Sequence, residues 1–174
     1  MTRYAAFLRG VNVGGVNLKM AAVAQALEAA GFANVKTILA SGNVLLDSRA
    51  GTAAVRKKAE KALRDEFGYD AWVLAYPLDT IAEISAAYPF EREVEGHHSY
   101  VTFVSDGDVL RELAALAGQP GPDEKISPGS GVLYWQVPRS ATLASAVGKT
   151  MGKKRYKSST TTRNLRTLDK VLRG

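Results

Sequence analysis

Short apolar runs alternate along this chain with stretches in which apolar residues recur every three or four positions. Residues 2–8 read as a strand, with Tyr4, Ala6 and Leu8 sharing one face. After a glycine-rich loop, Met20, Val23, Leu27 and Ala30 recur at helical spacing, and Gly31 marks the end of that helix. Residues 35–39 and 44–47 read as strands on either side of a Ser41-Gly42-Asn43 turn. Over residues 52 to about 67, Val55, Ala59, Ala62, Leu63 and Phe67 turn inward, while Arg56, Lys57, Lys58, Lys61 and Arg64 face outward. A strand over 72–75 completes a β-α-β-β-α-β order within residues 1–76. That is the ferredoxin-like plait, an α+β arrangement with antiparallel strands in the order 4-1-3-2.

Residues 77–174 read as a second α/β subdomain. The pattern predicts a connecting helix over 77–87, a strand over 99–104, a helix over 109–117, and a hairpin of 124–127 with 132–137 around Pro128-Gly129-Ser130-Gly131. From Ser140 the pattern is helical, and a last helix carries Leu165, Leu168, Val171 and Leu172. The expectation is two plait-like subdomains in tandem, the second helical where a fourth strand would stand.

The join between the first strand and the first helix carries the candidate chemistry. Arg9, Gly10, Asn12, Gly14, Gly15 and Asn17 lie in it, and Lys19 follows. Most such connections are short, and glycines let a ligand approach backbone closely. In the 4-1-3-2 order, Ser41, Gly42 and Asn43 fall beside the end of the first strand, at the start of the first helix, whose N-terminus favours anions. The cluster fits a small anionic or phosphate-bearing ligand, with Asn17 as a helix cap. The plainer reading is that Asn and Gly are default loop residues and that Arg9 pairs with an acid such as Asp47. A second feature is Thr162, Arg163 and Asn164. Thr161 or Thr162 is a natural cap for the last helix, which puts Arg163 and Arg166 in its first turn, where cations are disfavoured. A bound anion relieves that conflict, and so does a carboxylate from elsewhere in the fold.

Charge is uneven. Lys149, Lys153, Lys154, Arg155, Lys157, Arg163, Arg166, Lys170 and Arg173 face only Asp169 in the last 26 residues, although the whole chain is +6. Residues 149–173 therefore suit a nucleic acid as a second reading, or simply a solvated end. A third reading makes both motifs turn and cap chemistry in a structural or partner-binding protein. The absence of cysteine excludes disulfides, thiolate catalysis and Cys-based zinc sites. No secretory pattern follows Met1 and no apolar run approaches the ~20 residues of a membrane span, so a cytoplasmic protein without a membrane partner is expected.

Other chemistry fits poorly. The glycine loop is neither a phosphate-binding Gly-x-x-x-x-Gly-Lys nor a Gly-x-Gly-x-x-Gly dinucleotide fingerprint, and no cofactor is implied. His97 and His98 are adjacent, so on a strand they point to opposite faces and cannot both ligate one metal. Asp106 and Asp108 read as helix caps rather than an acid–base pair. An RNA-binding plait stacks bases on aromatics of its third strand, but residues 43–47 have none. The aliphatic face of Tyr4, Ala6 and Leu8 is expected to be covered, most simply by the second subdomain.

The run Phe7-Leu8-Arg9-Gly10-Val11-Asn12-Val13-Gly14-Gly15, with Met20, Gly31-Phe32, Val35-Lys36-Thr37 and Ser41-Gly42-Asn43-Val44, resembles the signature of a bacterial family catalogued as domain of unknown function 1697. Thr161-Thr162-Arg163-Asn164 followed by Thr167 is similar to that family's closing motif. The family commonly has an aromatic after Arg-Asn, where this chain has Leu165. The resemblance spans essentially the whole chain and implies two plait-like subdomains and two functional motifs, but no established activity.

Overall fold

The computed structural model describes residues 1–9, 17–39, 41–118, 123–142, 145–151, 153, 156 and 158–174. The chain forms two compact units, Met1–Ala82 with Asp169–Gly174, and Glu83–Leu168. The division falls within a helix rather than at residue 76, and the last residues return to the first unit.

The first unit contains β1 (Thr2–Arg9), α1 (Met20–Ala29), β2 (Ala33–Ile38), β3 (Asn43–Ser48), α2 (Thr52–Phe67) and β4 (Trp72–Pro77), and α3 (Leu78–Ala86) begins in it. Its sheet has the order β2-β3-β1-β4 with every pair antiparallel, the plait order. Alternation along β1 sends Tyr4, Ala6 and Leu8 to the helix side. There, with Val44, Leu46, Val73 and Ala75, they pack against Val23 and Leu27 of α1 and Val55, Ala59 and Leu63 of α2. That face is thus covered by the unit's own helices, not by the second subdomain as expected. The helix α1 ends where the Gly31 N–H bonds Glu28 O at 3.0 Å and the Phe32 N–H bonds Leu27 O at 3.2 Å, a Schellman closure that drops Phe32 into the core.

The opposite face is also buried, through Ala5, Phe7, Leu45 and Leu74, and the C-terminal Gly174 sits against Ile38 and Leu45. Burial on both faces explains why β1 and β3 read as continuous apolar runs. Edge strand β4 is capped sideways: the buried Glu60 carboxylate accepts the Val73 N–H at 2.9 Å and is held by Arg56 Nε at 3.2 Å.

The second unit contains the end of α3, then β5 (His97–Val104), α4 (Gly107–Ala114), β6 (Lys125–Pro128), β7 (Val132–Pro138), α5 (Ala146–Met151) and β8 (Thr160–Asn164); α6 (Leu165–Arg173) starts in it. Its antiparallel order β6-β7-β5-β8 repeats that of the first unit. The expected helical substitute for a fourth strand is therefore corrected. Three consecutive β-branched threonines suit a pleated strand better than a helix start, and β8 pairs with β5 from Thr160↔Val104 to Asn164↔Tyr100. The core joins Val104, Leu133, Trp135 and Val137 to Val109, Leu113, Val147 and Tyr156. On the other face Tyr134 Oη donates to Ile84 O at 2.7 Å and Gln136 Nε2 to Glu91 O at 2.7 Å. No helix among the described residues is long and apolar enough to cross a membrane.

Candidate functional site

The two units can be superimposed in register by their hydrogen bonds. Phe7 stands opposite Asn43, the first residue of β3, and Phe103 stands opposite Val132, the first residue of β7. The next N–H in each strand reaches the carbonyl of the glycine before that partner: Leu8 N to Gly42 O at 2.8 Å, Val104 N to Gly131 O at 3.0 Å. Both glycines are left-handed, with φ of +87° and +70°. Arg9 and Ser105 are thus equivalent positions.

There the units diverge. In the second, Ser105 is tied to Ser159 O through its N–H at 2.9 Å, and Asp106 caps α4 at once, accepting from the Asp108 and Val109 N–H groups at 2.8 and 3.2 Å. The connection is residues 105–106, and Asp106 has the capping role expected of it. In the first unit the equivalent connection is residues 10–19. It begins beside Arg9, which pairs with Trp72 across β1 and β4. Arg9 is half-buried, and burial lowers its pKa from the ordinary guanidinium value. Arg64 lies over the Trp72 ring at 4.6 Å, so a second cation shares that edge. Neither Trp72 nor Arg64 stands out in the sequence; only the pairing of β1 with β4 brings Trp72 opposite Arg9.

Leu39, Ser41 and Gly42, in turn conformation, lie at the same sheet end. Leu39 is left-handed at φ +62° and 45% exposed, a conformation and a setting unusual for leucine. Asn43 is fully buried, and its amide nitrogen donates to Ile38 O and to Ser41 Oγ, each at 2.8 Å. It fixes the turn. Asn17 and Lys19 are exposed at the start of α1. Lys19, not Asn17, occupies the cap position, and it makes no side-chain cap bond; Asn17 stands two residues too early to reach the first turn. Gly10, Asn12, Gly14 and Gly15 lie outside the described residues. Asp47, offered above as a partner for Arg9, bonds Asn34 Nδ2 at 2.7 Å and Arg3 Nη1 at 3.2 Å, and Asn34 first, then Arg3, hold its carboxyl below the usual range.

Thr162, Arg163 and Asn164 lie on β8, in the second unit. Thr162 Oγ1 meets Thr102 Oγ1 at 2.8 Å, on the helix side. Arg163 is on the strand rather than in the first helical turn; it is buried and donates to Thr161 Oγ1 and Thr162 O. Asn164 Oδ1 accepts the Thr167 N–H at 2.8 Å and is the residue that caps α6, in place of Thr161 or Thr162. Arg166 is in the first turn and meets Glu93 at 3.3 Å, so a carboxylate relieves it there. His97 and His98 fall on β5, and no cluster of three or more metal-ligating side chains occurs among the described residues.

The family of proteins of unknown function DUF1697 matches the chain over residues 1–134, and the chain belongs to that family. The match includes Arg9, Leu39, Ser41 and Gly42. The solved structure of a conserved bacterial protein from Streptococcus pneumoniae is similar in fold, with a TM-score of 0.78 at 23% identity over 99% of this chain and 97% of that one. No curated protein matches the sequence.

Proposed function

We propose that the chain binds a small anionic ligand, of the phosphate-bearing kind, where β1 ends at Arg9 beside the turn at Ser41 and Gly42. One observation carries this reading. The chain makes the same strand-to-helix connection twice, with residues 105–106 in one unit and residues 10–19 in the other. The plait itself needs only the short form. The long form starts beside a half-buried arginine and holds three glycines and two asparagines. A partly desolvated cation attracts an anion more strongly than one in bulk water, and the uncapped first turn of α1 favours negative charge in the same direction. Arg9 and Lys19 supply charge, Gly10, Gly14 and Gly15 allow backbone approach, and Asn12 and Asn17 orient the ligand. Asn43 and Ser41 shape the turn beside it. A cytoplasmic setting accords with the cysteine-free composition.

The nucleic-acid reading of residues 149–173 has less support. Its cations are divided between two units, Arg163 is buried and Arg166 meets Glu93. The first-unit sheet face that an RNA-binding plait uses is filled by Phe7 and Leu45.

The test is a thermal-shift panel of phosphorylated metabolites on wild type and Arg9→Ala. A ligand at about 100 times its Kd raises Tm by roughly 5 °C or more in wild type, and Arg9→Ala loses most of that rise. Equal shifts in the two proteins for every ligand that acts would sink the proposal.

A further inference from the structure

The helix layers of the two units differ in extent: α2 runs for 16 residues, whereas its counterpart α5 runs for six. On the helix side of the second sheet, near the start of β5, His98 and Tyr100 are only half-buried. Two apart on one strand, they point the same way, and their rings lie 5.4 Å apart at 42°. Tyr100 rests in turn on Trp135, 4.5 Å away at 33°. The indole N–H of Trp135 donates to Thr102 Oγ1 at 2.9 Å, fixing the base of the stack in the core. The rings form a ladder whose outer rung, His98, is partly exposed.

Register sets a cation on each side of that rung. His98 pairs with Val137, and Arg139, just past the end of β7, is held by its own N–H to Gly96 O at 2.9 Å. On the other side Asn164 stands opposite Tyr100, and α6 starts immediately, bringing Arg166 level with His98. Both guanidiniums act on the imidazole, whose pKa is lowered by burial first and by Arg139 and Arg166 next. That shift favours the neutral ring. Both arginines are exposed. Arg166 donates to Glu93 at 3.3 Å, but both side chains are about 70% exposed, and such pairs are weak enough for a phosphate to displace.

We propose that this stack is a nucleotide site in the second unit, with the base on the outer face of His98, which Tyr100 and Trp135 back from below, and the phosphate between Arg139 and Arg166. An aromatic platform for the base beside guanidinium groups for the phosphate is the usual pairing of contacts for this ligand chemistry. The site shares no residue with the Arg9 cluster and does not rest on it.

Adenosine monophosphate titrated into the full chain, followed by NMR, tests it. The expected result is saturable upfield movement of the His98 and Tyr100 ring resonances, with shifts of the Arg139 and Arg166 Nε–Hε signals, at millimolar Kd or tighter. Adenosine and inorganic phosphate, each lacking half of the contacts, bind more weakly. His98→Ala and Arg139→Gln each weaken binding about fivefold or more. A short single-stranded oligonucleotide engaging the same resonances much more tightly than the monophosphate assigns the nucleotide to a strand; equal affinity assigns it to a free metabolite. The proposal is overturned if the monophosphate moves none of these signals, or if His98→Ala and Arg139→Gln both bind it as wild type does.

Discussion

Phe7 and Phe103 hold the same place in two sheets of the same strand order, and each is followed by an N–H bonded to a left-handed glycine. Past that point one unit closes in two residues on an aspartate cap, and the other sets an arginine and ten further residues, three of them glycine, before its helix. The comparison separates what the plait requires from what has been added to it. A strand-to-helix turn needs a cap; it does not need three glycines and a half-buried guanidinium. In the helix layer the contrast reverses: α2 runs for 16 residues and α5 for six. Each unit therefore departs from the minimal fold at a different place, and those two places are where ligands are proposed.

The equivalence can be broken most forcefully at the two phenylalanines. Phe7→Ala and Phe103→Ala each remove a fully buried ring and are expected to cost about 3–5 kcal/mol in urea unfolding; a negligible loss at either would refute their matching roles. A smaller effect distinguishes the first unit at high pH. Burial pushes the Tyr76 phenol from 10.0 up to about 12, so the fold favours its neutral form. That contribution, about 2–3 kcal/mol, is complete below pH 10 and lost as pH rises through about 12; Tyr76→Phe should flatten the loss, and an unchanged profile would show that another group titrates. Glu60→Gln, which replaces the charged acceptor for the Val73 N–H, should cost about 1–3 kcal/mol. Weakest is the cap: Asp106→Ala should lose about 1 kcal/mol, and no change would mean that the short connection closes without it.

Much of the first unit was legible because its alternation and helical spacing are unbroken. Val44, Leu45 and Leu46 could only be a buried strand, and Gly31 ended α1 as its position suggested. The strand order then placed Gly42 beside the end of β1 from topology alone. The second unit hid its fourth strand because Thr160, Thr161 and Thr162 serve equally as caps and as strand residues, and only pairing with β5 decides between them. The same ambiguity misassigned the cap of α6, which is Asn164. Asn43 looked like a ligand donor, but a buried amide beside a turn is first claimed by that turn's own carbonyl. The ring ladder of His98, Tyr100 and Trp135 depends on cross-strand register, which no local pattern announces.

The most direct measurement transplants one connection onto the other. Residues 9–19 would be replaced by the Ser-Asp pair of the second unit, since Ser105 holds the place of Arg9, and the variant examined by circular dichroism, by thermal unfolding, and with the phosphorylated ligand that most raises the wild-type Tm. Shortening a surface connection changes closure entropy only slightly, so the account predicts a cooperatively folded protein that no longer responds to the ligand. A folded variant with the full wild-type shift, or a chain unable to fold without residues 9–19, would contradict it.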